Sequence, residues 1–134
     1  MKKYEILEHK ADLKIRAFGR TKEELFSNIL LGMAESQKAT ILPQEVKRDF
    51  RIKSPDLPSL LVDFLSEVLY LSQVNKEVYK EVKFKEFTDN EIKGELIGQK
   101  VESFGEDIKA VTYHDLDIHQ ENNGVWQATV LFDI

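Results

Sequence analysis

The chain has 134 residues, a formal net charge of −5 and no cysteine. Its length suits one domain that can bury its own core. The lack of cysteine excludes disulfides, thiolate metal sites and cysteine nucleophiles. The acidic balance argues against broad electrostatic binding to nucleic acid, which depends on Lys and Arg. No apolar run predicts a membrane span, and the N-terminal residues lack the apolar stretch of a signal peptide, so we expect a cytoplasmic protein.

Two strands are predicted before the first helix, in KYEILEH (3–9) and ADLKIRAF (11–18). The second strand alternates strictly, which gives it one apolar and one charged face. Its apolar positions are Leu13, Ile15 and Ala17, and its charged positions are Asp12, Lys14 and Arg16. We therefore expect half of this strand to face a core and half to face solvent.

Two amphipathic helices stand out. The first spans 21–37, where Thr21 and Glu24 have the spacing of a capping box and apolar residues recur at helical spacing. The second spans 57–74, with Asp56 as its N-cap and Pro58 in its first turn, where the missing N–H is harmless.

Most of the remaining chain predicts strands. We place them at 46–53, 77–87, 90–99, 108–119 and 124–134. A turn at 88–90 makes a hairpin, a loop is expected at 101–107, and another turn is expected at 122–124. The apolar positions of the fourth of these strands change phase near His114 and Asp115, which predicts a β-bulge.

The order of these elements repeats. One strand–helix–strand–strand module is formed by residues 1–42 and 100–134, and a second module, residues 43–99, is inserted into it. Hairpins combined with separate helices predict an α+β fold in which the helices pack on mainly antiparallel sheet. No Pro/Gly-rich linker marks either junction, so we expect a single domain over residues 1–134.

The last strand ends on a carboxylate. Alternation puts Asp133 on the face opposite the core, where most carboxylates are simply solvated. A hard-cation site is the alternative, because Asp133 is next to the terminal carboxylate of Ile134, and carboxylate oxygens are ligands for calcium or magnesium. Asp12 is a candidate third ligand. Lys109 could contact an anion such as phosphate, although a lysine at a strand start usually just extends its ammonium into water.

The remaining sequence motifs carry little information about function. His9, His114 and His119 lack the helical spacing of a zinc site. The chain has no glycine-rich phosphate loop, no GxSxG elbow and no interleaving of aromatic and basic residues typical of RNA-binding sheets. The charges at 80–86 are mixed in sign and indicate a solvated surface. By motif alone, nothing indicates an enzyme.

Five sequence blocks together resemble the archease family. They are HKAD (9–12), GRTKEELFSNILLGM (19–33), LLVDFLSEVLYL (60–71), KAVTYHDL (109–116) and VLFDI (130–134), in that family's order and spacing. The resemblance covers essentially the whole chain and implies the same inserted-module fold. It also implies a protein that is not itself an enzyme but an accessory activator of an RtcB-type RNA-splicing ligase, promoting the ligase's guanylylation and multiple turnover in tRNA splicing or RNA repair.

The resemblance further implies roles for particular residues. Asp12, Lys109 and Asp133 match the family residues needed to activate the ligase. A divalent metal, calcium in the family, would be bound by Asp12, Asp133 and the terminal carboxylate of Ile134. On this basis we expect Asp133 to take part in metal binding and ligase activation, and not to be merely a solvated residue.

Two further function classes stay open at this point. The protein could be a chaperone or modulator of a tRNA-modifying enzyme such as a methyltransferase, or a free-standing metal-dependent enzyme that uses Asp12, Asp133 and Lys109. No recognisable nucleophile or base motif supports the second of these. Neither direct nucleic-acid binding nor membrane association is expected. Lys10 and the segment 100–107 depart from the family pattern, close to the proposed metal and ligase contacts.

Overall fold

The computed structural model describes residues 1–7 and 11–134, so the predictions that involve His9 and Lys10 lie outside the described residues. In chain order the elements are β1 (Tyr4–Leu7), β2 (Asp12–Gly19), α1 (Lys22–Ser36), β3 (Ala39–Lys53), α2 (Leu57–Asn75), β4 (Glu77–Phe87), β5 (Glu91–Phe104), β6 (Ala110–Val111), β7 (Asp117–Gln120) and β8 (Trp126–Asp133).

The strands form two antiparallel sheets. The first has the order β1-β2-β8-β6, and β7 pairs with β8 on the same side as β6. The second has the order β3-β5-β4. Two helices pack on these sheets, so the predicted α+β fold with mainly antiparallel sheet is confirmed.

Both helices begin where the sequence predicts. The Thr21 hydroxyl accepts from the Glu24 N–H at 3.0 Å, and the Asp56 carboxylate accepts from the Ser59 N–H at 2.8 Å. The capping box is modified, because the Glu24 carboxylate accepts from the N–H of Arg20 at 3.0 Å and not from that of Thr21. Each cap satisfies a backbone donor that has no partner inside its helix.

One core joins the two helices to both sheets. The apolar faces of α1 and α2 bury Phe26 and Phe64, whose rings stack at 5.7 Å. Phe50, Phe84 and Phe87, from the second sheet, complete this aromatic cluster. From the first sheet the core takes buried side chains of β2 and β8, namely Ile15, Ala17, Ala128, Val130 and Phe132.

Helix α2 has an unusually apolar composition for its length. Among the residues that the structure describes, it is the helix that is long and apolar enough to cross a membrane by length and composition, which sequence reasoning did not anticipate. Its side chains at Leu60, Leu61, Phe64 and Leu65 are completely buried in the core. A core helix shows the same composition, so this observation does not argue for a membrane.

Two strands of the second sheet are longer than predicted. β3 begins at Ala39 and not at 46, and β5 continues to Phe104, through part of the predicted 101–107 loop. The two extensions pair with each other, with register shifts around Pro43. Proline and polar residues there resemble a loop in sequence, but pairing with a partner strand overrides that local preference.

The predicted strand at 108–119 is interrupted. It forms β6 and β7, separated by residues 112–116, in which Asp115 has a left-handed backbone with φ 56°. The prediction of a β-bulge was therefore wrong, because a loop at 112–116 divides the predicted strand into two short strands. The predicted turn at 122–124 is present, and Gly124 takes φ 88° there.

The division into modules stays a prediction. Its junctions, at 42/43 and 99/100, lie inside β3 and β5. Residues of both predicted modules contribute to the one core.

Candidate functional site

The structure places Asp12 and Asp133 directly opposite each other. β2 and β8 pair antiparallel in a register that makes these two residues partners. Opposite residues of such a pair share a face, with Cβ atoms about 5 Å apart. Asp133 is exposed and Asp12 half-buried. The two aspartates named by sequence reasoning are therefore neighbours where β2 begins and β8 ends, at the ends of two interior strands of the first sheet.

The apolar alternation of β8 explains why Asp133 faces outward. Phe132 is completely buried and the side chain of Ile134 packs against the core. Because successive side chains of a strand point to opposite faces, the residue between them must face solvent. The terminal carboxylate proposed as a metal ligand belongs to the residue directly after Asp133.

Lys109 adjoins the same strand end. Its N–H donates to the carbonyl oxygen of Asp133 at 2.7 Å. The preceding Ile108 is 1% exposed, and its carbonyl accepts from the side-chain amide of Gln73 on α2 at 2.7 Å. These contacts fix the backbone of Lys109 beside Asp133 and leave its side chain exposed. The structure thus brings together Asp12, Lys109 and Asp133, the three residues predicted to activate a ligase.

The donor set suits a hard cation in part. Carboxylate oxygens are the ligands that calcium and magnesium prefer, and calcium takes about 6–8 oxygen ligands. Within residues 1–7 and 11–134 no three Asp, Glu or His side chains converge as a metal cluster. Asp12 and Asp133 would therefore supply part of a coordination shell. The remaining ligands would come from the terminal carboxylate of Ile134 and from water or phosphate, so the two aspartates by themselves fit only part of such a coordination shell.

The face that carries the aspartates also carries cations. Lys14 lies two residues from Asp12 and pairs with Leu131, and Arg16 pairs with Thr129. The Arg16 guanidinium lies 3.5 Å from Glu5 and donates to the Thr129 hydroxyl at 3.4 Å. The surface around the aspartates is therefore mixed in charge and not uniformly acidic.

Comparison with known proteins decides the family. Residues 4–134 match the Archease protein family (MTH1598/TM1083). The chain belongs to the archease family. It is 41% identical to protein archease of Methanosarcina mazei over 99% of this chain and 97% of that protein. It is 34% identical to protein archease of Thermococcus kodakarensis over the full length of both. The family recognised from five sequence blocks is confirmed.

Solved archease structures share the fold. The solution structure of Methanobacterium thermoautotrophicum protein 1598 is 30% identical and superposes with a TM-score of 0.78 over 100% of both chains. The crystal structure of an archease, described as a possible chaperone, from Thermotoga maritima has 23% identity and a TM-score of 0.65, covering 96% of this chain and 94% of that one. At that identity the second similarity supports the fold alone.

Sequence reasoning missed a buried acid in this archease chain. Glu77, the first residue of β4, is completely buried and receives two hydrogen bonds from Arg48, at 2.9 and 2.8 Å. Lys100 lies 3.0 Å from the same carboxylate, and the Tyr79 hydroxyl donates to it at 2.5 Å. The bond from Arg48 is the main reason that the pKa of Glu77 falls to about 2.

The backbone of Glu77 also links the two helices to the second sheet. The Ser72 hydroxyl donates to the Glu77 carbonyl at 2.5 Å and accepts from the Gln37 amide at 3.0 Å, which joins the C-terminal ends of α1 and α2 to β4. No sequence signal reveals it, because Arg48 and Glu77 are 29 residues apart and neither lies in a motif.

His119 makes a second polar cluster, away from the aspartates. Its ring nitrogens lie 2.6 Å from Asp117 and 2.8 Å from Glu121. It pairs with Gln127 of β8, whereas the aspartate site is at Asp133, the other end of that strand. That His119 belongs to no zinc site stays a prediction.

Proposed function

We propose that this protein is an accessory activator of an RtcB-type RNA-splicing ligase, promoting guanylylation and multiple turnover of the ligase in tRNA splicing or RNA repair. The observation that carries the proposal is the cross-strand pair Asp12–Asp133, with Lys109 bonded to the same strand end, in a chain of the archease family. On this proposal the protein acts in the cytoplasm on another enzyme and has no catalytic residue of its own.

The proposed site holds a divalent metal, calcium in our proposal, between Asp12, Asp133 and the terminal carboxylate of Ile134. Such a cation supplies positive charge to phosphate oxygens. The chain's own contribution is to hold two carboxylates in a fixed cross-strand register. Lys109, whose backbone is bonded to Asp133 and whose side chain is exposed, then contacts an anionic group on the ligase or its nucleotide.

An activator must discriminate between states of its target. Binding equally to the resting and reacting ligase would accelerate nothing, because only interactions stronger in the transition state lower the barrier. The tip formed by Asp12, Lys109 and Asp133 is therefore proposed to contact the ligase where charge develops during transfer of the GMP group. An exposed tip, and not an enclosed cleft, suits docking into another protein's active site.

The test is GMP transfer to the ligase from the same organism, with this protein at substoichiometric concentration. We expect faster guanylylation and repeated ligation, and loss of both with Asp133→Asn. Asp49→Asn is the matched control, because Asp49 is also an exposed strand carboxylate, on the other sheet. Full stimulation by Asp133→Asn would refute the assignment of this residue.

A second candidate is a chaperone or modulator of a tRNA-modifying enzyme such as a methyltransferase. The observation that favours it is membership of the family, in which the Thermotoga maritima protein TM1083 is described as a possible chaperone. A methyltransferase whose oligomeric state and specificity depend on this protein would support it. If this protein left the guanylylation rate of the ligase unchanged, and a methyltransferase depended on it for oligomeric state and specificity, the second proposal would replace the first.

A further inference from the structure

A cavity of about 350 Å³ lies where the two helices end. It is lined by Gln37, the C-cap residue of α1, and by Lys76, the C-cap residue of α2. Residues of the segment 101–108, from the end of β5 onward, form another wall. Ile108, the last of these, directly precedes Lys109. The cavity is therefore distinct from the aspartate pair and borders the segment that leads to it.

The side chain of Gln37 offers a free acceptor to this cavity. Gln37 is only 3% exposed, and its Nε2 donates to the Ser72 hydroxyl at 3.0 Å. Because Ser72 donates its one hydroxyl proton to the Glu77 carbonyl, it can only accept from Gln37, so the free atom of the amide is the oxygen. Within the described residues this oxygen receives no hydrogen bond, and every completely buried polar side-chain atom there has a partner. Oε1 of Gln37 must therefore reach open space, and the cavity that Gln37 lines provides it.

The charge around the cavity favours a cation. Three acidic residues line it, namely Glu102, Glu106 and Asp107. They outnumber its one lysine, Lys76, which directly follows α2. Neither helix has a basic residue in its last turn, so the partial negative charge at each C-terminus is not neutralised from within the helix. A sheltered acceptor and an acidic lining suit a ligand with both positive charge and N–H donors, which is an ammonium or guanidinium group.

Exposed apolar side chains beside the cavity indicate that the cation belongs to a protein. Tyr70 and Val74 lie one turn apart on α2 and are 58% and 61% exposed. Val74 adjoins Gln73, which lines the cavity. The helix carries the acidic Asp63 and Glu67 but no lysine or arginine. Such a surface complements a partner on which basic side chains lie among apolar ones, whereas a small amine in the cavity would leave Tyr70 and Val74 exposed.

We propose that the cavity, together with Tyr70 and Val74, is a docking surface for a protein partner, and that one arginine side chain of the partner enters the cavity. Its guanidinium donates to Oε1 of Gln37 and pairs with a carboxylate such as that of Asp107, while apolar residues of the partner cover Tyr70 and Val74. Arginine suits the cavity better than lysine, because its planar fork of N–H donors can serve an amide oxygen and a carboxylate together.

This inference rests on the proposed function only in taking the ligase as the partner. The docking surface is joined to the proposed activating residues through Ile108, because Lys109 follows it and donates its N–H to Asp133. Gln73 fixes this connection by donating to the carbonyl of Ile108. A partner that docks here is therefore positioned relative to Lys109 and Asp133.

The first experiment tests the cavity in the intact protein, with N-acetyl-arginine amide as the probe in an NMR titration. We expect shifts at the amides of residues 37, 73–76 and 101–108. N-acetyl-citrulline amide has nearly the same shape without the charge, and should bind at least about tenfold more weakly because a hydrogen bond to a charged group is lost. Equal binding of both probes, or no shifts in these residues, overturns the proposal. Spermidine that binds there more tightly than the arginine probe also overturns it, in favour of a free polyamine.

The second experiment measures stimulation of the ligase against the concentration of this protein. Asp107→Asn should raise the concentration for half-maximal stimulation about tenfold, and Val74→Ser should raise it in the same direction. The maximal rate should stay unchanged, because both variants remove contacts made in docking. Asp49→Asn on β3 and Ile6→Ser on β1 are the matched controls, since both residues are exposed on strands outside the docking surface. Unchanged half-maximal concentrations in Asp107→Asn and Val74→Ser overturn the docking surface.

Failure of this inference and failure of the proposed function give different results. Stimulation that depends on Asp133 but not on Asp107 or Val74 keeps the proposed function and refutes the docking surface. Selective binding of the arginine probe in the cavity, by a protein that stimulates no ligase, refutes the proposed function and supports the cavity as the docking site of a different basic partner.

Discussion

Asp12 and Asp133 are cross-strand partners, directly opposite on β2 and β8. Like charges in that relationship destabilise a sheet by about 0.2–1 kcal/mol. The surrounding strands nevertheless fix the register, because Ile15, Val130 and Phe132 on the other face are completely buried and a slip of one residue would expose them. The core therefore holds two carboxylates together, and a bound cation would remove their repulsion.

Removing one of these charges should stabilise the protein when no metal is present. We expect Asp133→Asn to raise the free energy of unfolding by up to about 1 kcal/mol in the presence of EDTA, because one carboxylate no longer faces another. With calcium the order should reverse, since ligand binding stabilises only the variant that can bind it. Thermal unfolding in EDTA and in calcium measures both effects.

The exposed Asp49→Asn is the control for that experiment. It should change stability equally in EDTA and in calcium, because Asp49 lies on β3 in the other sheet. An Asp133→Asn protein that calcium stabilises as much as wild type would exclude Asp133 as a ligand.

Extending the chain beyond Ile134 tests the terminal carboxylate. Added residues replace that carboxylate by a peptide carbonyl, which carries no net charge. We therefore expect a C-terminal tag to weaken calcium binding and ligase stimulation, and an N-terminal tag to leave both intact. Calcium titration of the two tagged proteins by calorimetry measures the difference. Equal affinities would show that the Ile134 carboxylate is not a ligand.

The candidate site illustrates what sequence can provide. Strict alternation around Ile15 predicts that Asp12 faces away from the core, and the apolar Phe132 and Ile134 on either side of Asp133 predict the same for that residue, because both inferences depend only on the local period of a strand. That β2 and β8 are neighbours depends on the whole topology, and only the family resemblance indicated it beforehand. The assignment of their roles, and that of Lys109, stays a prediction.

Features without a local signature were missed or misjudged. The start of β3 looks like a loop because Pro43 cannot donate a ladder hydrogen bond, yet pairing with β5 holds that segment as a strand. The break between β6 and β7 appeared in sequence only as a change of phase. The partners of Glu77 could not be anticipated, because a buried ion pair is created by the packing of distant strands.

Breaking the buried ion pair should be costly. In Glu77→Gln the cations of Arg48 and Lys100 lose their carboxylate. Because these two side chains are 39% and 41% exposed, water replaces part of the lost contacts, and we expect a loss of about 1.5–3 kcal/mol, the size of hydrogen bonds to a charged group. Urea unfolding should show this loss without a change in calcium affinity, since the pair lies on the second sheet. Arg51→Gln is the control, because its ion pair with Glu91 is at the surface and should contribute less than about 1 kcal/mol.

The lowered pKa of Glu77 predicts that the stability of the protein falls at acid pH. The pKa of Glu77 is lowered from 4.5 to about 2 in the folded protein, chiefly by Arg48. Its contribution is therefore complete above pH 4.5 and is lost as the pH falls toward 2. Glu77→Gln should remove that part of the acid dependence of unfolding. If the free energy of unfolding fell with the same slope at acid pH in wild type and in Glu77→Gln, that result would contradict the lowered pKa.

His119 should titrate above its ordinary range. Hydrogen bonds to Glu121 first and to Asp117 second raise its pKa above 6.5, because each carboxylate favours the protonated ring. The associated stability is fully present below pH 6.5 and is lost as the pH rises through the raised pKa. An NMR titration of the ring protons measures the pKa, and Glu121→Gln should lower it toward its ordinary value. A His119 ring that titrates at or below pH 6.5 in wild type would show that these contacts do not persist in solution.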